Sequence, residues 1–161
     1  MSQWKNSESW NVGQQVENNF ANLLKIVDPE FRKATRDEQF RHIDYHSYFG
    51  TIDVKAKKKV NRHDSSDQDE LIWLEFKNVQ GREGWLCGET DIIAFERNDD
   101  FVLVRRKNLL DMAESKCNID DRVTSSRGAL YRGYQRSGRK DLISLVKMQD
   151  VLNIKHTIWA K

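Results

Sequence analysis

The sequence contains little proline, glycine or cysteine. Its 161 residues include one proline, eight glycines and two cysteines, which excludes collagen-like, proline-rich and disulfide-stabilised proteins. Cys87 and Cys117 match no zinc-binding spacing. No apolar run is long enough to span a bilayer, and the first residues lack the basic and apolar regions of a secretory signal. We therefore expect a cytoplasmic protein without a membrane partner.

Neither sign of charge dominates, because 27 lysines and arginines oppose 25 aspartates and glutamates. Aromatic residues make up 10% of the chain, which is enough to anchor a core and argues against disorder. The length predicts a single domain over residues 1–161. Within it, we expect residues 1–11 to form a loosely held arm and residues 120–161 to form a basic C-terminal extension packed on the core.

The spacing of apolar residues changes along the chain. A period of 3.6 between Gly13 and Val27 predicts an amphipathic helix. Alternating runs on either side of Tyr48-Phe49-Gly50 predict a β-hairpin beginning near Phe40. Further strands are predicted at 71–77, 91–105 and 155–159, with helices from Leu109 and over 143–152. The fold class expected is α/β, an α+β sandwich with a central mixed sheet of four or more strands flanked by helices.

The first hairpin brings acidic residues together. If its turn is centred between Tyr48 and Phe49, Asp44 lies opposite Asp53, with Cβ atoms roughly 5 Å apart. Lys55 shares their face, because side chains two residues apart point the same way along a strand. Two carboxylates this close repel unless a cation neutralises them. Oxygen ligands favour Mg²⁺ or Mn²⁺, and a neighbouring lysine can position water or stabilise charge on a phosphate.

Asp44 followed by Asp53-Val54-Lys55 resembles the PD-(D/E)XK nuclease superfamily, in which an acid on one strand precedes an acid-x-Lys motif on the next. Glu17 resembles the additional helical carboxylate of many members, a further metal ligand. The segment from Trp73 to Phe95 is similar to one in small phage-type members. The resemblance covers about residues 13–105. It implies a restriction-endonuclease-like sheet, Mg²⁺ dependence and DNA cleavage.

A second acid-x-Lys motif, Glu75-Phe76-Lys77, leaves the assignment open. In the first assignment, Asp44 and Asp53 hold the metal, Lys55 assists catalysis and Glu75 completes the metal ligands. In the alternative, Asp53 is the first acid, and Glu75 and Lys77 form the motif. The expected parity places all five residues on one face of three strands. The competing interpretation is a charged, solvated sheet face.

Basic residues interleaved with glycine and tyrosine predict a surface that binds DNA phosphates. The candidates are Lys57, Lys58, Arg127, Arg132, Arg136, Arg139 and Lys140. These features together predict a divalent-metal-dependent DNA endonuclease that hydrolyses phosphodiester bonds. The resemblance also allows a homodimer, because many nucleases of this kind cut both strands as dimers. One alternative is a non-catalytic DNA-binding or assembly protein on the same scaffold. Another is a protein-interaction module that uses the tryptophan-containing N-terminal arm.

Overall fold

The computed structural model describes residues 8–61, 63, 64 and 66–161. The helices are α1 (Glu8–Val27), α2 (Arg36–Phe40), α3 (Arg106–Lys116) and α4 (Met148–Leu152). The strands are β1 (Arg32–Lys33), β2 (Tyr45–Ser47), β3 (Gly50–Lys55), β4 (Leu71–Lys77), β5 (Ile92–Glu96), β6 (Asp100–Arg105), β7 (Asn118–Val123), β8 (Arg132–Tyr134), β9 (Leu142–Lys147) and β10 (His156–Ala160). No helix in this part of the chain is long and apolar enough to cross a membrane.

The strands form two mixed sheets, which confirms the α/β class but not a single central sheet. The six-stranded sheet has the order β1-β2-β3-β5-β6-β10, and the four-stranded sheet has the order β4-β9-β8-β7. In the larger sheet β3 and β5 are parallel, and the other neighbours are antiparallel. The chain leaves the larger sheet after β3 to form β4 and returns as β5. The predicted strand at 71–77 therefore exists, but in the other sheet.

The larger sheet is covered on both faces, because β5 and β6 are apolar on both sides. One face packs against α1 through Phe20 and Leu24, which contact a cluster that includes Ile52 and Val54 of β3. The other face contributes to a second cluster with the smaller sheet, α3 and the Trp85–Cys87 turn of 3-10 helix. Since side chains alternate along a strand, Asp53 points away from α1 toward this second layer.

The N-terminal third differs from the sequence-based expectation in two places. Helix α1 begins at Glu8, so residues 8–11 of the expected arm are helical, and residues 1–7 of it lie outside the described residues. Phe40 ends α2 instead of beginning a strand. A capping box starts that helix. The Thr35 side chain accepts a hydrogen bond from the Glu38 backbone N–H, and the Glu38 side chain accepts one from the Thr35 backbone N–H. The strand accordingly begins later, at Tyr45.

The helix predicted over residues 143–152 is wrong for its first half. Residues Leu142–Lys147 form β9, and only the short α4 follows. Five consecutive residues of β9 are buried, because β9 lies inside the smaller sheet between β4 and β8. A continuous apolar run satisfies helical and strand patterns equally, so periodicity alone did not distinguish them.

Gly133 of β8 lies too close to the backbone of β7 to carry a side chain. A Cβ atom at this position would lie 2.2 Å from the Ile119 carbonyl oxygen, a backbone atom that cannot rotate away. We expect Gly133→Ala to lower the free energy of unfolding by about 1–3 kcal/mol, measured by urea denaturation. Gly13→Ala is the matched control. Gly13 lies within α1 with nothing within 4 Å of the added Cβ, so alanine there should stabilise the protein. Equal stability of Gly133→Ala and the parent would contradict the close approach.

Candidate active site

The hairpin of β2 and β3 has the predicted register. Tyr45 pairs with Ile52, His46 with Thr51 and Ser47 with Gly50. The pairing ends at Tyr45, and the backbone N–H of Asp44 donates to the Ile52 carbonyl oxygen at 2.8 Å. Asp44 lies just before β2, and its Oδ2 accepts a hydrogen bond of 2.8 Å from the backbone N–H of Val54. The Asp44 carboxylate therefore takes the place of a backbone carbonyl as the hydrogen-bond acceptor for Val54, next to Asp53.

Asp53 is a buried carboxyl group with an unsatisfied oxygen. The residue is 3% exposed. No described residue donates a hydrogen bond to its Oδ2. Lys55 Nζ lies 3.1 Å from this oxygen, an ion-pair distance, but outside hydrogen-bond geometry. The oxygen therefore keeps unused acceptor capacity, although the Lys55 ammonium opposes its negative charge.

Lys55 is held between an acid and an aromatic ring. Its ammonium pairs with Asp53 on one side and lies 5.0 Å from the centroid of the Trp85 ring on another. A quarter of the Lys55 side chain is exposed (24%), so the residue is partly accessible from solvent. The two residues are on the same face of β3, as the acid-x-Lys spacing predicted.

Glu17 reaches the same cluster from α1. Its carboxyl group neighbours Asp44, and Gln14 donates a hydrogen bond of 3.4 Å to Glu17 Oε2. Tyr45 fixes the helix against the hairpin, because its hydroxyl donates to the backbone oxygen of Glu17 at 3.0 Å. Asp44 is thus the common neighbour of Glu17 and Asp53.

Burial and the neighbouring Asp44 carboxyl group raise the pKa of both Asp53 and Glu17. Burial, opposed by the Lys55 ammonium and reinforced by Asp44, raises the pKa of Asp53 to about 8. Burial and then Asp44 raise the pKa of Glu17 to about 7, against the lowering effect of Lys33 and Lys55. Without a further positive charge, this cluster therefore holds protons near neutral pH. Such shifts in a group of neighbouring acids are typical of functional sites.

The donor chemistry of the cluster suits a hard divalent cation. Glu17, Asp44 and Asp53 offer carboxylate oxygens, and the Oδ2 of Asp53 accepts no hydrogen bond from the described residues, although Lys55 forms an ion pair with it. Within residues 8–61, 63, 64 and 66–161, no three histidine, cysteine, aspartate or glutamate side chains already form a metal-binding group. Glu17 and Asp53 are thus neighbours of Asp44, but the three carboxyl groups do not form a complete ligand set in the described part of the chain.

Glu75 and Lys77 are not on a strand adjacent to Asp53, which corrects the expectation of one shared face across three neighbouring strands. They belong to β4 in the smaller sheet, whereas β3 pairs with β2 and β5. The register of β4 also shifts between Glu75 and Lys77, so the two-residue alternation that placed them together is broken. Glu75 Oε1 accepts a hydrogen bond of 3.3 Å from the Trp85 backbone N–H, and Lys77 is exposed.

Two of the predicted DNA-binding residues lie near the acids. Lys58 is exposed, yet the pKa of its ammonium is lowered, first by desolvation and then by the positive charge of Lys55, with Arg136 adding to the effect. Glu75 and Asp53 oppose this lowering. Arg136 is anchored by Asp141, which is 1% exposed. Lys58 and Arg136 thus bring positive charge from two loops toward the site.

The other predicted basic residues are placed differently. Lys57 pairs with Asp67 and donates to Asn98, so its charge is partly neutralised. Arg132 pairs with Asp121 at 3.1 Å. Arg127, Arg139 and Lys140 are exposed. The last two share the turn between β8 and β9 with Arg136.

Sequence reasoning missed three contributors to the site. Trp85 was expected to be a core or loop anchor, and it does pack against Phe95, but its ring also contacts Lys55. Lys33 pairs with Tyr45 across β1 and β2, which brings its charge near Glu17. Tyr45 was assigned only to the core. The position of Trp85 directly after Gly84, in a glycine-containing loop, could have indicated a role for Trp85 at the site. No local sequence pattern indicates such a role for Lys33.

The cluster combines a buried aspartate, two partly exposed acids, a partly exposed lysine and nearby basic loops, which is an arrangement suited to an anionic substrate bound with a cation. Relatives contribute nothing to its interpretation. No protein-family model, curated protein or solved structure matches this chain.

Proposed function

We propose that the chain is a divalent-metal-dependent DNA endonuclease that hydrolyses phosphodiester bonds, of the PD-(D/E)XK type. One observation carries the proposal. The buried Oδ2 of Asp53 has no hydrogen-bond donor among the described residues, beside the Asp44 carboxylate and 3.1 Å from Lys55 Nζ. Neighbouring carboxyl groups beside a partly exposed lysine are the arrangement that metal-assisted phosphate hydrolysis needs.

Mg²⁺ or Mn²⁺ would be held by Asp44 and Asp53, with Glu17 as a further ligand. When bound, the ion supplies charge neutralisation at the phosphate and a more acidic water. The ammonium of Lys55 donates a hydrogen bond to a non-bridging phosphate oxygen, or to the attacking water, in a site where such donors act strongly. In hydrolysis the water oxygen bonds to phosphorus, the bond to one sugar oxygen breaks, and a water proton ends on the departing oxygen.

The basic loops support a polyanionic substrate over a small phosphate ester. Lys58 and Arg136 extend positive charge beyond Lys55, and Arg139 and Lys140 continue it along the β8–β9 turn. Successive phosphates of a DNA strand could contact several of these basic residues, whereas a single phosphate ester would contact only the residue nearest the acids, Lys55.

Purified protein incubated with supercoiled plasmid DNA tests the proposal. We expect nicked or linear product in Mg²⁺ or Mn²⁺ and none in EDTA, read by gel electrophoresis. Linear, single-stranded and branched DNA run in parallel define the preferred substrate. DNA binding with salt-dependent affinity but no cleavage in either ion would instead favour the non-catalytic DNA-binding alternative. Neither binding nor cleavage would refute both.

A further inference from the structure

Lys55 depends on Trp85 for its position. A lysine side chain has several rotatable bonds, and an ammonium that must meet a phosphate oxygen benefits from being fixed beforehand. The Trp85 ring, 8% exposed, lies 5.0 Å from Lys55 Nζ and attracts the ammonium through its electron-rich face. The ring also packs against Phe95, at 6.0 Å between centroids in an edge-to-face arrangement. Since Phe95 pairs with Lys55 across β5 and β3, the ring is tied to the same strands.

Trp85 is in turn held by Glu75. The carboxylate oxygen Oε1 of Glu75 accepts from the Trp85 backbone N–H at 3.3 Å. Gly84, which precedes Trp85, lies close to strand β4, because its backbone N–H donates to the Phe76 carbonyl oxygen at 2.9 Å. A Cβ on Gly84 would lie 2.4 Å from the Glu75 carbonyl oxygen. Only a glycine permits this approach, which places the start of the 3-10 turn directly against Glu75.

We infer that Glu75 is a positioning residue, which holds Trp85 in place and through it the Lys55 ammonium. This role rests on the proposed function for its catalytic consequence, but the structural relation does not depend on any activity. Glu75 therefore acts on the amine of the site instead of binding the metal, which was its expected role. Glu75 thereby connects the smaller sheet, in which it lies, to the site on the larger sheet.

The two roles differ in what they require of residue 75. A metal ligand needs a negative charge, whereas a hydrogen-bond acceptor for a backbone N–H needs only a correctly placed oxygen. Glutamine keeps that oxygen at the same distance from the backbone, and alanine removes it. Phenylalanine at position 85 likewise keeps a ring face for the ammonium, and leucine does not.

Steady-state cleavage kinetics separate these possibilities. We expect Glu75→Ala and Trp85→Leu to lower kcat by about tenfold, with KM for DNA nearly unchanged, because positioning affects the reacting group more than binding. Glu75→Gln and Trp85→Phe should recover most of the lost kcat. Glu83→Gln removes an exposed carboxylate two residues from Trp85 and serves as the matched charge control. Equal losses in Glu75→Gln and Glu75→Ala would overturn the inference in favour of a charge-dependent role.

Acylation of Lys55 at fixed pH provides a readout that does not need nuclease activity. Peptide mass spectrometry would follow the rate of modification by an amine-reactive ester. Acylation of the distant Lys25 and the circular dichroism spectrum would serve as controls for folding. We expect Glu75→Ala and Trp85→Leu to speed modification of Lys55 several-fold, and the conservative variants to leave it near the parental rate. Unchanged rates in both disruptive variants would overturn the inference. A protein that cleaves no DNA but shows the expected rates would refute the proposed function alone.

Discussion

Replacing Asp53 by asparagine is expected to lower the rate of metal-dependent DNA cleavage by at least about 100-fold. Asparagine keeps the size of the side chain but removes the negative charge from a buried carboxyl group whose Oδ2 accepts no hydrogen bond from the described residues. It also removes the ion pair that Lys55 makes with Asp53. Initial rates of plasmid nicking at saturating Mg²⁺ measure the effect. Lys55→Met should produce a similar loss while leaving the carboxylates intact.

The matched control is Asp120→Asn, an exposed carboxylate on β7 that should leave cleavage unchanged. The two active-site variants should differ in their response to the ion. Lys55→Met keeps the acids, so Mg²⁺ should still raise its melting temperature, whereas Asp53→Asn should lose that rise. Full cleavage by both variants would refute the assignment of Asp53 and Lys55 as the motif.

The stability of the metal-free protein is expected to fall by roughly 3 kcal/mol between pH 5.5 and pH 8.5 because of Asp53 alone. The pKa of this carboxyl is raised from 3.8 to about 8 in the folded state. The folded protein therefore retains a proton that the unfolded chain has released. This contribution to stability is complete below pH 4 and is lost as the pH rises through about 8. The half-buried Glu17, with a pKa raised to about 7, adds a smaller change of the same sign.

Urea denaturation in EDTA across this pH range measures the effect. Asp53→Asn has no such proton to lose, so its stability should change much less with pH and should exceed that of the parent at pH 8.5. Addition of Mg²⁺ should restore the parent at high pH, by about 2.7 kcal/mol at a concentration 100 times the dissociation constant, and should not affect Asp53→Asn. Parallel pH profiles for the two proteins would contradict the burial of an uncompensated carboxyl.

The local geometry of the site was accessible from the sequence because a hairpin is a short-range structure. Once the turn at Tyr48-Phe49 fixes the register, the strand alternation determines which residues oppose one another. The structure has that register over Tyr45–Ser47, and the Asp44 carboxyl group lies near that of Asp53. Lys55 follows from the same alternation. The helical period of α1 placed Glu17 at the edge of the apolar stripe, although only packing decided that this edge faces Asp44.

The surroundings of the site were not accessible in this way. The sequence predicted the strand at Leu71–Lys77 correctly but carries no local mark of which strand it pairs with, since pairing partners lie far apart in the chain. Strand β4 pairs with β9, some seventy residues later, and this long-range choice moved Glu75 and Lys77 to a different sheet. The error over β9 has a related origin, because a fully buried strand has no polar face to reveal its period.

The sequence by itself determined the hairpin, its register and the convergence of two acids and a lysine, because these depend on neighbours within a dozen residues. Only the tertiary structure decided how deeply Asp53 is buried, that Glu17 joins Asp44, and that Trp85 lies against Lys55. Burial and pKa depend on what the second layer places over a strand. That layer is built from segments in the rest of the chain. Their contacts with the site produce no periodic pattern in the sequence of the site residues, so the sequence did not predict them.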